Sequence, residues 1–243
     1  MEKWKVLVIW IIPVILLSGC DEGGGTVEIL PRESSIPADA VKVTPEDDIY
    51  PPQLHSQEWE EPVPLPAQIN TAGAEDSPFI TPDGKTLYFF FTPDPQVPVE
   101  KQLTDGVTGI YLSHQEEGDW GKAQRVVLQD PGKVALDGCQ FVQDDVIWFC
   151  SAREGYNGIH WFTAENKEGA WTNWQHVDFN PGYEVGELHI SADGSELYFH
   201  SARPGGKGGY DLWLSRKVEG EWGEPENLTV LNTAENDGWP FLS

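Results

Sequence analysis

The side chains in this sequence that could do chemistry are carboxylates, guanidinium groups, imidazoles and thiols, and they fall at corresponding places in a repeated pattern. Glu75, Asp76, Asp137, Glu184, Glu187, Glu235 and Asp237 lie before or within segments of similar sequence, while Arg153, Tyr156, Asn157 and Arg203 follow the next hydrophobic runs. Carboxylates gathered in one place hold a hard cation such as calcium, or serve as acid and base on a glycosidic bond. These residues are far apart in sequence, so only the fold decides whether they meet. The candidate site drawn from them is Glu75, Asp76, Asp137, Arg153, Glu187, His200, Arg203 and Asp237, with no catalytic residue assigned. For Arg153 and Arg203 a structural role is the stronger reading, in which each pairs with an acidic residue of an adjacent leading strand and pins neighbouring repeats together. Glu187, His189 and His200 could together ligate a transition metal, but no tight HxH, HExxH or CxxC spacing supports them, and a hydrogen-bonded core or channel histidine is the stronger reading.

The elements that position these groups follow from a repeat that begins at residue 57. Trp59, Trp120, Trp171 and Trp222 open comparable segments, and each is followed by a second segment containing Phe79, Phe141, His189 or Phe241. The recurrence at intervals of about 50–60 residues suits one small sheet per repeat. In the first repeat a strand carrying Phe79 ends at the Pro82-Asp83-Gly84 turn, where glycine supplies the positive φ that closes a hairpin. Further strands are expected over 86–91, 109–113 and 120–128, and in the third repeat over 196–200, 210–215 and 222–228. The repeated tryptophans invite a sugar-stacking role, but their fixed place in each repeat points to packing between strands.

A single sheet of this size cannot bury both faces, so neighbouring sheets must stack around an axis. The expected fold is all-β, a β-propeller of four-stranded antiparallel blades. About four blades are expected, one of them incomplete and shared by the two chain ends, with an open arc or a truncated larger ring as the alternative. Pairing of the ends would remove exposed sheet edges.

Asp144 and Asp145 replace the Pro-Asp-Gly turn in the second repeat. If they form a two-residue loop, Cys139 and Cys150 face each other. In an oxidising compartment such a pair is a candidate disulfide; a strained pair or two buried thiols are the alternatives.

The repeat resembles the TolB-type, WD-like propeller repeats of exported bacterial proteins. The resemblance rests on SPFITPDGKTLYF at 77–89, HISADGSELYFHSARPGGKGGYDLWLSRK at 189–217 and EWGEPENLTVLNTAENDGWPFLS at 221–243, and it covers residues 57–243. It specifies fold and not function. Residues 1–19 read as a secretory leader, with Lys3 and Lys5 before an apolar run at 6–17. Leu17, Ser18, Gly19 and Cys20 then resemble the lipobox of bacterial lipoproteins, which implies lipidation at Cys20. Residues 20–56, with Gly23, Gly24 and Gly25 and scattered prolines, read as a flexible acidic stalk.

Composition narrows the function classes. Fifteen lysines and arginines against 40 acidic residues give a formal charge of -25, which opposes binding to nucleic acid. There is no GxSxG elbow, phosphate loop or dinucleotide fingerprint. The sequence therefore leads to an exported domain, lipid-anchored through Cys20 to a bacterial membrane and facing the periplasm or exterior. It would act as a non-enzymatic scaffold for a protein or cell-envelope polymer. The alternative is a glycan-binding or carbohydrate-active propeller using carboxylates at the channel mouth. Calcium is compatible with both.

Overall fold

The computed structural model describes residues 29–177 and 183–242, so the expected leader and Cys20 lie outside the described residues. Three antiparallel meanders follow one another along the chain. The first contains β1 (Ala74–Ile80), β2 (Thr86–Thr92), β3 (Gly109–Glu116), β4 (Asp119–Trp120) and β5 (Gln124–Arg125); β4 and β5 both pair with β3 and form a split fourth strand. The second is β6 (Ala135–Gln143), β7 (Val146–Arg153), β8 (His160–Lys167) and β9 (Ala170–His176). The third repeats the first: β10 (Val185–Ile190), β11 (Glu196–Ser201), β12 (Asp211–Val218), then β13 (Glu221–Trp222) and β14 (Glu226–Asn227), both on β12.

Turn chemistry sets the hairpins. Thr81 Oγ1 and the Lys85 amide both donate to Asp83, at 2.7 and 3.0 Å, and Gly84 adopts φ 70°. The same turn recurs where Ser191 and Ser195 donate to Asp193, and these hydrogen bonds hold the Asp193 carboxyl down to about 2. In the second meander Gln143 pairs with Val146 across Asp144 and Asp145, and Asp144 takes φ 53°, as a two-residue loop requires.

The sheets stack through alternating apolar residues. Ile110, Ile147, Phe149, Trp161, Phe162, Leu197 and Phe199 belong to one core shared by all three meanders, while Leu87, Phe89, Phe91 and Tyr111 form a second on the other face of the first. The leading strand β6 packs beside both β1 and β10, so the leading strands line one axis and the arrangement is propeller-like.

The chain ends depart from expectation. Residues 57–73 and 228–242 form no strands, so the two ends do not share a blade. Trp59 is largely exposed, whereas Trp120, Trp171 and Trp222 pack against the cores. Instead the two segments dock differently, the first on an outer sheet face and the second along β12 and then against the leading strand β10. The short helix α1 (Arg32–Ser35) brings Arg32, 3% exposed, onto the rings of Phe89, Phe91 and Tyr111 at 5.1–5.8 Å. Its guanidinium also donates to the carbonyls of Gln68 and Ile69 at 2.8 and 2.9 Å. Part of the expected stalk is thus docked on the first meander, because an arginine supplies what a proline-rich composition does not show. At the other end Asn232 bridges both backbone groups of Leu212.

Candidate functional site

Each leading strand carries one residue more than its partner over the same stretch. The register shifts between Asp76 and Phe79, between Gly138 and Phe141, and between Val185 and Leu188. Such bulges bend a strand and re-aim its side chains. One consequence corrects the cysteine register: Cys150 faces Gly138, not Cys139, because the extra residue displaces the pairing by one. No disulfide joins the two, and Cys139 sits in the bulge with φ 52°.

Below the bulges Phe79, Phe141, His189 and Phe241 converge. Their ring centroids are 5.0 Å apart for Phe79 and Phe141, 4.9 Å for Phe141 and His189, and 5.0 Å for His189 and Phe241. The sequence register of the repeat is thus realised as an aromatic plug, with Phe241 of the chain end supplying a fourth member. Two residues before each aromatic stand Ser77, Cys139, Glu187 and Trp239, and all four line an axial cavity of about 490 Å³ above the plug. Ser77 and Trp239, like Cys139, have positive φ, at 48° and 55°. A second depression of about 420 Å³ opens on the turn side of the plug. Another of about 440 Å³, among residues 42–70, is lined mainly by prolines and valines and gathers no chemical constellation.

Glu187 is the chemical centre of the axial cavity. Ser77 Oγ donates to its Oε1 at 3.0 Å, and the Cys139 thiol is a further hydrogen-bond neighbour. His200 Nε2 lies 3.5 Å from Glu187 Oε2. The Trp239 amide donates to His200 Nδ1 at 3.2 Å, which leaves the ring proton on Nε2, facing the carboxylate. Burial lowers the His200 pKa, and the Glu187 charge opposes this only in part, which favours the neutral ring. Gly186 makes the packing feasible: a Cβ there would stand 1.7 Å from His200 Nε2.

The Cys139 thiol is equally quiet. Hydrogen bonding to Cys150 first, then burial and then Glu187, hold the Cys139 pKa well above its ordinary value, and Cys150 donates to the Gly186 carbonyl at 3.3 Å. A thiol so placed is a poor nucleophile. Gln140, only 5% exposed, donates through its amide nitrogen to the Ser77 carbonyl, while its Oε1 receives no donor among the described residues.

The other expected site residues do not join this centre. Asp137, fully buried, accepts from Ser151 at 2.6 Å and Arg153 at 2.8 Å, and Arg153 also lies over Phe149, Phe162 and Trp174. The arginine does pair with a leading-strand carboxylate, but it ties β6 to β7 within one meander instead of linking neighbours. Arg203 stacks on Phe199 and Trp213 of its own meander. Glu75 accepts from Thr71 and faces Arg32 at 3.5 Å, and Asp237 accepts from Thr233. Asp76 accepts from the Ser77 amide and lines the axial cavity. Of the Glu187, His189 and His200 trio, only Glu187 and His200 meet; His189 joins the plug. Among the described residues no group of three or more histidines, cysteines and carboxylates is arranged to hold a metal ion.

No family pattern matches the chain, and no curated protein matches its sequence. Among solved structures it is similar to a chain from a structural study of two prolyl endopeptidases, with 14% identity, a TM-score of 0.39, and coverage of 67% of this chain and 22% of that one. It is also similar to the α-L-arabinofuranosidase Arb93A of Fusarium graminearum bound to an iminosugar inhibitor, with 15% identity, a TM-score of 0.29, and coverage of 62% and 46%. The chain spans less than half the length of either, and with TM-scores this low neither similarity bears on activity.

Proposed function

We propose that the protein is an exported lipoprotein, anchored through Cys20, whose TolB-type propeller-like domain is a non-enzymatic binding module for a protein or cell-envelope polymer. The observation that carries this reading is the axial cavity, where corresponding positions of all four repeats, Ser77, Cys139, Glu187 and Trp239, converge at one end of the domain. Trp239 and Phe241 stand at this cavity 62% and 64% exposed, an amount of open aromatic surface that suits a partner better than solvent. The reacting groups at and beside it are quiet: the Cys139 pKa is held well above its ordinary value, and burial favours the neutral form of the hydrogen-bonded His200.

A glycan-binding reading has one observation in its favour, because Asp76 and Glu187 line the same cavity as two exposed aromatic rings. One experiment separates the two. A photo-crosslinking residue replaces exposed Asp76 at the cavity, or exposed Glu219 in the β12–β13 turn as control, in the full-length protein expressed in a bacterial host. The scaffold reading expects a discrete protease-sensitive adduct, or one on cell-envelope polymer, from position 76 alone. An adduct removed by glycoside hydrolases points to the glycan reading, and equal labelling from both positions rejects the cavity as the binding end.

A further inference from the structure

The carboxylate at the centre of the axial cavity, Glu187, has no lysine or arginine within ion-pair distance among the described residues. Its neighbours are Ser77, Cys139 and His200, and burial lowers the His200 pKa. Glu187, its side chain 22% exposed, is partly withdrawn from water, and a carboxylate so placed attracts a cation more than one in bulk solvent does. Three further features say which kind of cation.

The lining does not suit a metal: it offers the carboxylates of Asp76 and Glu187 and the Cys139 thiol, whose pKa is held well above its ordinary value, and among the described residues no group of three or more histidines, cysteines and carboxylates is arranged to hold an ion. The walls are aromatic: Phe79, Trp239 and Phe241 line the cavity with Glu187. Aromatic faces attract organic cations, which lose less hydration energy than metal ions on entering such a site. Finally, Gln140 lines the same cavity, 5% exposed, and its Oε1 is a buried acceptor with no donor among the described residues. A buried acceptor left in this state favours a ligand that brings a hydrogen-bond donor.

We propose that the axial cavity binds a small organic ammonium compound carrying a hydroxyl or N–H donor, with Glu187 as counter-charge, Trp239 and Phe241 as aromatic walls, and Gln140 Oε1 as acceptor. The cavity of about 490 Å³ is large enough for such a molecule. This goes beyond the binding-module reading, because it requires no macromolecular partner.

The test is titration calorimetry of the full-length protein with choline chloride, with 3,3-dimethylbutan-1-ol as the uncharged isostere and tetramethylammonium as the cation without a hydroxyl. Choline is expected to bind at one site, with the isostere weaker by about tenfold or more and tetramethylammonium weaker by severalfold. Glu187→Gln is expected to weaken choline by about tenfold, and Trp239→Ala by severalfold. Trp239 is mostly exposed, so Trp239→Ala keeps the test valid should Glu187→Gln fold poorly. Equal affinity for choline and the isostere, unchanged choline affinity in both variants, or no saturable heat at about 20 mM choline overturns the proposal. Failure here leaves a cavity-specific crosslink intact, so this inference and the binding-module reading fail separately.

Discussion

His200 shows how a single side chain ties stability to pH. It is held between Gly186 and Gly238, accepts a hydrogen bond from the Trp239 amide on Nδ1, and points Nε2 at Glu187. Protonating the ring would put a proton on Nδ1, so the Trp239 amide would lose its acceptor. The Tyr210 and Trp239 rings pack against it, and the charged group facing it is Glu187. Burial lowers the His200 pKa below 6.5, and burial lowers that of His189 in the plug as well. A histidine whose folded pKa is depressed binds its proton more readily in the unfolded chain. Its contribution to stability is therefore complete above the ordinary pKa and is lost as pH falls toward the folded value, at no more than about 1.4 kcal/mol per pH unit per histidine. Urea unfolding at about pH 7.5 and about pH 5.5 is expected to show the protein less stable at the lower pH. The loss is expected to be smaller in His200→Asn, where an amide oxygen can still accept from Trp239. An equal loss in both proteins would place the titration elsewhere.

At the scale of elements, the segment around α1 behaves as part of the domain because of one arginine. Arg32 stacks on three rings of the first meander and donates to two backbone carbonyls, which fastens residues 68–69 over its outer face. Arg32→Ala removes both charge-assisted hydrogen bonds and the packing, and is expected to cost about 2–4 kcal/mol. Arg32→Lys is expected to recover only part of this, since an ammonium cannot reproduce the planar fork. Chemical denaturation checks the size, and a cost below about 0.5 kcal/mol would return this segment to the status of a stalk. Nothing in the local sequence announces the contact, because its partners are at positions 68–111 and the surrounding prolines read as a linker. The hairpins were legible for the opposite reason. Asp83-Gly84, Asp144-Asp145 and Asp193-Gly194 carry their turn chemistry within two residues. The first two bulges are not legible, since Ser77 and Cys139 hold positive φ without the glycine that usually marks it. That extra residue shifts the cysteine pairing by one, and Gln140 beside the bulge lines the cavity with Glu187.

The described residues form three meanders in a propeller-like arrangement, and the chain carries a formal charge of -25. Two electrostatic effects of opposite sign compete in such a chain. Local ion pairs stabilise the fold and weaken with salt, whereas the net charge destabilises the compact state by self-repulsion and is relieved by salt. The pair with most at stake, Arg153 with Asp137, is buried and screened little by added ions. The remaining pairs, such as Lys133 with Glu154, Lys167 with Glu165, and Arg216 with Glu196 and Glu226, are largely at the surface. Exposed pairs of this kind contribute about 0–1 kcal/mol each and are easily outweighed. Only 15 cationic side chains are present to offset 40 acidic ones, so repulsion dominates. Raising sodium chloride from about 20 mM to about 300 mM shortens the screening length from roughly 20 Å to below 10 Å and is expected to raise Tm by several degrees. Potassium chloride at the same ionic strength is expected to do the same, because the effect is one of screening and not of a site. A falling Tm would show that the few local pairs outweigh the repulsion of the whole chain. A rise with one cation alone would mean that the excess negative charge is gathered at a specific binding point instead of being spread over the surface.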